Sequence, residues 1–352
     1  MANTTLKALK NTVDVIGRVK EVNLELGTTR DGKENIKGNV VVLVEENVNG
    51  EARSHDIRVR VYSNKFKRDG NINGLYTGYE TVMNEYKSIA DVGDKKEADL
   101  VHVQGSLELN EYISQDGTKR SSNQVSGKFF NRITTDDVKK RRGPKAVATI
   151  TGVVESIKDD LDSDGLPSGK KILKGFNVDF FGELRENSKP IIPFEAVVEE
   201  NLADAFENLY DVGDTGKFSM KIENYAKDAS EDDIEEQVSG FGSTEGLQDV
   251  KKEFVNQLNV IGGTEPFSNG QEYDEEQIAE AKEWRNKALE SLESGYVPAE
   301  TPSNNAFGEG SKTEKAKEEK SITDEDLEDL SELDFWWKKR ENGLKVYTTE
   351  WD

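Results

Sequence analysis

The sequence has no cysteine. That excludes disulfides, thiolate metal ligands and a cysteine nucleophile, and it fits a reducing compartment such as the cytoplasm. Histidine is nearly absent too: His55 and His102 are the only two. Each lies in a run of strand character with no serine–carboxylate arrangement beside it, so neither a triad nor a histidine-ligated metal is expected. No G-x-x-x-x-G-K-[ST] phosphate loop occurs, which leaves ATP-driven work unsupported. Asp160-Leu-Asp162-Ser-Asp164-Gly165 matches the first half of a calcium loop, but Lys171 stands where the bidentate Glu belongs. The run also falls between strands and reads as a turn. No apolar run approaches the roughly 20 residues that span a bilayer, and Met-Ala-Asn-Thr-Thr-Leu-Lys has no long apolar core, so no membrane span or secretory leader is expected. These absences describe a non-enzymatic protein without cofactor or membrane partner, in the cytoplasm.

Charge is abundant and unevenly placed. The chain of 352 residues carries a formal net charge of −23. Residues 1–145 hold 25 Lys and Arg against 21 Asp and Glu, so all the excess acid lies in residues 146–352. Such asymmetry marks a basic binding part followed by an acidic tail, or an ordinary domain with a solubilising extension.

Strand periodicity dominates the first part. Ile57, Val59 and Val61 alternate with Arg58, Arg60 and Tyr62 in Ser54–Ser63, the two-residue period of a strand wet on one face. Strands are also expected over Val13–Leu26, Asn35–Glu45, Asp99–Ser114 and Lys119–Ile133. A helical connection is expected over Tyr79–Ala90, and residues 1–11 are expected to be loosely held. Gly17 inside the first strand marks a bulge or tight bend. The pattern then restarts. Val147–Ile157 echoes Val15–Val22 with glycine in the matching place; Asp91-Val-Gly-Asp94 returns at Asp211, Asn110-Glu111-Tyr112 as Glu223-Asn224-Tyr225, and Gln124-Val-Ser-Gly127 at Gln237. Matches in the same order point to an internal duplication.

Five strands, a helix between the third and fourth, and a glycine in the first make the Greek-key barrel pattern of the OB-fold. The expected fold is mainly β: two tandem five-stranded OB-fold barrels, then a short helix and a disordered acidic tail. The expected boundaries are 12–133 for the first domain with its basic groove, 134–145 for a basic linker, 146–270 for the second domain, 271–294 for an amphipathic helix, and 295–352 for a flexible linker and acidic tail. The helix carries Ile278, Ala281, Trp284, Ala288 and Leu292 along one stripe.

This architecture resembles the single-stranded DNA-binding proteins, above all phage-type replication and recombination proteins, which would place it in a host cytoplasm. The resemblance implies a groove across the second and third strands where bases stack and phosphates meet cations. At the matching positions stand Lys37, Arg58, Arg60, Tyr62, Lys65, Phe66, Lys67, Arg68, Lys119, Arg120, Lys128 and Phe130. Lys128, Phe130 and Arg132 are expected on one face of the fifth strand, with Val125 and Phe129 on the other. Phe66 serves either as a stacking ring or as a plug at the barrel end; Tyr112 is a corner residue or a groove residue. The second copy departs from the pattern, with Glu195 where the first has arginine. The tail resembles the aromatic-tipped acidic C-termini of the same proteins. That implies a docking segment for replication or recombination proteins at Phe335, Trp336, Trp337, Trp351 and Asp352, competing with DNA, although Lys338-Lys339-Arg340 interrupts the acidity. Two other readings stay open: RNA as the ligand, and a structural or assembly module of OB-like barrels that binds no nucleic acid.

Overall fold

Alternation of apolar and polar residues sets the strands and decides which face of each is buried. The structure, a computed structural model, describes residues 4–48, 51–114, 116–162, 164–185, 187–227, 253–267 and 272–294. The first half contains β1 (Asn11–Thr28), β2 (Glu34–Val48), β3 (Glu51–Asn64), α1 (Gly74–Glu85), α2 (Ile89–Val92), β4 (Leu100–Ile113) and β5 (Lys119–Arg132). After α3 (Thr135–Lys140) come β6 (Lys145–Leu161), β7 (Pro167–Val178), β8 (Ile191–Val198), α4 (Glu200–Leu209), β9 (Thr215–Lys227), β10 (Glu253–Gly263) and α5 (Glu275–Ser294). The molecule is mainly β with an OB-fold-like barrel topology. β1 pairs with β2 and β4, β3 with β2 and β5, and β4 with β5; β6 to β10 repeat that order. Among the described residues no helix is long and apolar enough to cross a membrane.

β1 and β6 also pair with each other, antiparallel, from Asn11 opposite Ile150 to Ile16 opposite Lys145. This joins all ten strands into one sheet. Both first strands shift register at the same point: β1 between Val19 and Glu21, β6 between Val154 and Ser156. In each the shift follows a glycine two residues earlier. A Cβ on Gly17 would lie 2.3 Å from the Leu43 carbonyl oxygen, and one on Gly152 would lie 2.9 Å from the Phe176 oxygen. The expected bend at Gly17 is therefore a close crossing of β1 over β2, repeated in the second half. The Asp91 and Asp211 echoes are not in register: the Val19 amide donates to the Asp99 carbonyl and the Val154 amide to that of Asp214, which makes Asp99 the counterpart of Asp214. α2 ends on the left-handed Gly93 (φ 71°), whereas α4 ends on the extended Tyr210 and the left-handed Gly213 (φ 98°) lies in the turn between it and β9.

Two other echoes fail. Tyr225 lies opposite Val255, whereas Tyr112 lies opposite Arg120; the register makes Asn110 the counterpart of Tyr225. Gln124 lies opposite Glu108, and its counterpart by register is Gln257 opposite Glu223, not Gln237. Gln237 lies outside the described residues. Two further expectations are corrected, and the 134–145 linker gains detail. The helix before β4 starts at Gly74, where the Asn73 side chain accepts from the Leu75 amide, and not at Tyr79. The 134–145 stretch contains α3, held by a capping box between Thr134 and Asp137. Residues 4–10 are tied down: Leu6 is buried, Thr4 and Thr5 donate to Glu280, and Lys7 pairs with the Tyr273 hydroxyl. α5 packs its stripe, Ala281 and Trp284, on Phe176, Val178 and Ile191. It also reaches the first half, where Arg285 donates two hydrogen bonds to Glu111 at 2.8 and 2.5 Å. The expected linker and tail, 295–352, lie outside the described residues.

Gly17→Ala has no room at the crossing and should cost about 1–3 kcal/mol; urea unfolding of the two proteins measures it. A second prediction concerns Asp14, whose pKa is lowered chiefly by its 2.7 Å hydrogen bond with buried His102. A carboxylate with a depressed folded pKa stabilises above its unfolded value of 3.8 and loses that contribution as pH falls through the folded pKa. Asp14→Asn should therefore lower the unfolding temperature at pH 7, and the two melting curves should converge towards pH 2.

Candidate nucleic-acid interface

Cross-strand register assembles the candidate face. Lys37 of β2 stands opposite Tyr62, Asn39 opposite Arg60 and Val41 opposite Arg58. On the other side of β2 the same rows continue into Glu25, Asn23 and Glu21 of β1. The opposite faces of β2 and β3 are core: Ile36, Val40, Val42, Ile57, Val59 and Val61 are buried. The alternation read in the sequence thus places Arg58, Arg60 and Tyr62 outward, over about 13 Å at strand rise. Among the described residues Arg58 and Arg60 make no ion pair, while the Tyr62 hydroxyl donates to Asn64 at 3.1 Å. Asn23, Asn39 and Val41 complete the face and were missed by sequence reasoning, although the alternation of β2 carries the signal.

Other cations are partnered. Lys37 meets Glu25 at 3.4 Å, and Lys65 meets Glu34 at 2.6 Å, a hydrogen bond that raises the lysine pKa. Lys119 lies 4.0 Å from Glu111, and Arg120 lies 3.7 Å from Asp116. Asp116 is pulled down to about 2, first by the Ser114 hydroxyl and then by Thr118, so it fastens the β4–β5 turn. Exposed pairs of this kind are worth little in water and exchange readily for other anions. Lys67 is half-buried and Arg68 exposed in the segment after β3. Phe66 is half exposed and is not a plug, and Lys65 Nζ lies 5.6 Å from its ring centroid.

Lys128 and Phe130 do not join this face. A register shift in β4–β5 leaves Lys128 without a cross-strand partner between Gly127, opposite Gly105, and Phe129, opposite Gln104. Alternation inverts beyond it. Phe130 turns inward, packs on the core and meets Tyr79 edge-to-face, while Phe129 is the exposed ring. Lys128 faces the second half, where burial raises the pKa of Asp179 and the lysine's charge offsets only part of that rise. The five tail residues Phe335, Trp336, Trp337, Trp351 and Asp352 lie outside the described residues.

The second half presents the same rows with different chemistry. Register equates Arg58 with Glu195, Arg60 with Val197, Tyr62 with Glu199 and Lys37 with Lys170. Its lysines are neutralised: Lys170 by Glu199 at 2.9 Å, Lys174 by Glu195 at 2.6 Å, and Lys171 by Asp159 and Glu207 at 2.8 and 2.7 Å. The partial calcium motif forms a turn in which Asp162 accepts from the Asp164 and Leu166 amides.

The halves meet over a polar junction. The Asn224 amide donates to His55 Nδ1 at 3.3 Å, which leaves Nε2–H for Glu46 at 2.8 Å. Lys221 bridges Glu46 and Glu223, and the Arg53 guanidinium lies 4.5 Å from the Tyr225 ring centroid.

Comparison with solved structures finds a deletion mutant of the single-stranded DNA binding protein from Thermus aquaticus. It is 15% identical, with 76% of this chain and 98% of that one covered, at a TM-score of 0.44. The wild-type protein from Thermus aquaticus is 12% identical, with 77% and 100% covered and a TM-score of 0.45. A small single-stranded DNA-binding protein from Streptomyces coelicolor is 13% identical, with 36% and 95% covered and a TM-score of 0.24. No curated protein sequence matches the chain. The profile of the YorF family matches residues 10–295, most of the chain's length. The chain belongs to the YorF family.

Proposed function

We propose that this protein binds single-stranded DNA with little sequence preference, through the outward face of β2 and β3, and performs no catalysis. The observation that carries the reading is the contrast between two equivalent faces. Arg58 and Arg60 stand without ion pairs among the described residues beside Tyr62, while every lysine named at the matching rows of the second half is matched by a carboxylate. Guanidiniums that no carboxylate holds, next to an aromatic ring, are what a flexible polyanion with exposed bases requires. In this reading the chain is a tandem pair of OB barrels, 12–133 and 146–270, of which the first holds the strand and the second serves assembly or protein contacts. Residues 271–294 brace the pair. The acidic segment after 295 recruits proteins of replication, recombination or repair through Phe335, Trp336, Trp337, Trp351 and Asp352. It also competes with DNA as a tethered polyanion.

Fluorescence-anisotropy titration of labelled oligo(dT) at two salt concentrations, with a duplex as competitor, tests the reading. Tight, salt-sensitive binding that the duplex does not displace is the expected result. The Arg58→Ala/Arg60→Ala protein should bind more weakly, with a salt slope shallower by about 1.4, at roughly 0.7 per lost phosphate contact. Removing residues 321–352 should tighten binding at low salt, and equal affinities would end the competition idea. Failure of both full-length and truncated protein to bind would instead favour a structural assembly module. The carboxylate-matched second face already fits that role.

A further inference from the structure

Between β3 and α1 the first half makes a detour that the second half lacks. β3 ends at Asn64 and α1 begins at Gly74, whereas β8 ends at Val198 and α4 begins at Glu200. The barrel topology therefore does not need residues 65–73, and they occur only on the half whose face carries Arg58 and Arg60, which make no ion pair among the described residues. The detour is nevertheless built firmly. The Lys65 amide donates to Glu34, the Lys67 amide to Asn71 and the Asn73 amide to Lys65, at 2.9, 2.8 and 2.8 Å. Phe66 and Ile72 face each other as an antiparallel bridge, and Asp69 accepts from the Asn71 backbone and side-chain amides at 2.9 and 2.7 Å. The product is a small hairpin with two large apolar side chains in water: Phe66 is 50% and Ile72 60% exposed. Bridge partners point to the same side, so ring and isobutyl-sized chain form one apolar surface. Phe66 lies two residues beyond the end of β3, in the segment that follows Tyr62 and the buried Asn64.

We propose that the 65–73 hairpin is a base platform closing one end of the β2–β3 face. Phe66 and Ile72 take a single unstacked base of a single-stranded nucleic acid, while its backbone runs on towards Arg60 and Arg58. This inference rests on the nucleic-acid reading of the face. A π-face meets any base, so the platform adds affinity without sequence preference. Lys65, held by Glu34 beside the ring, adds a cation at the same end.

The test uses the full chain and oligo(dT). Phe66→Ala should weaken binding by roughly 5- to 150-fold, the range of one lost stacked base, and Ile72→Ala by less. Both should leave the salt slope unchanged, because no phosphate contact is lost. Unfolding midpoints should not move, since both side chains are exposed. Phe66→Trp should retain affinity and show tryptophan quenching on DNA addition beyond that of the wild type. Wild-type affinity in both alanine variants, with Arg58→Ala/Arg60→Ala weakened, would overturn the platform and leave the face standing. Self-association of the wild type that Ile72→Asp abolishes at unchanged DNA affinity would assign the pair to a protein contact and also overturn it. Absence of wild-type binding would remove both readings.

Discussion

Each amide and carbonyl of β1 needs a partner, and three neighbouring strands supply them. Val13 to Arg18 pair with β4, Arg18 to Thr28 pair with β2, and Asn11 to Ile16 pair with β6 on the free edge. An unpaired buried backbone group costs about as much as a lost hydrogen bond, so the strand must change partner without a gap. Gly17 and the register shift after Val19 make the exchange possible, because the chain can then pass the Leu43 carbonyl closely enough. That crossing orients β2 against β1 and, through β2, sets which residues of β3 look outward.

One scaffold supports two electrostatic outcomes. The rows on β2–β3 and β7–β8 are geometrically equivalent, yet one keeps guanidiniums available and the other satisfies each lysine with a carboxylate. At Arg58 and Glu195 the strand pairing is the same and only the side chain differs, whereas beyond Tyr62 and Glu199 the first half continues β3 and the second turns into α4. The interface between the halves is polar at one end, around His55, Lys221 and Glu223, and braced by Arg285 and Glu111 near the other half's hairpin. Charges buried there need every partner in place, because removing one partner leaves the other charge buried and uncompensated.

Strong period-two alternation made the strands and the outward position of Arg58, Arg60 and Tyr62 legible from the sequence. Local deviations hid the rest. A single bulged residue at Lys128 reverses the faces of β5, and the glycines at 105 and 127 that admit it carry no unique sequence signature. Ion pairs such as Lys37 with Glu25 join residues on different strands, so they appear only once register is known. The start of α1 was missed because its cap is Asn73, in a stretch that also reads as a turn. Three of four internal echoes were coincidences of short polar strings, whereas the glycine, tied to the close crossing of the first two strands, was not. Residues 4–10 looked loose by composition, but one leucine and three hydrogen-bonding residues suffice to hold them.

The β1–β6 pairing has a self-complementary centre. If Gly17 and Gly152 are counterparts, so are Val13 and Ala148, and these two lie directly opposite each other. A pseudo-dyad therefore passes between them, and the two halves relate as the subunits of an isologous dimer whose chains have been fused. A solitary first half would expose the edge from Asn11 to Ile16, and the same edge of a second copy would satisfy it with Val13 opposite Val13. Fusion frees such a dimer from identity: each copy of the face can acquire its own chemistry without its twin having to follow.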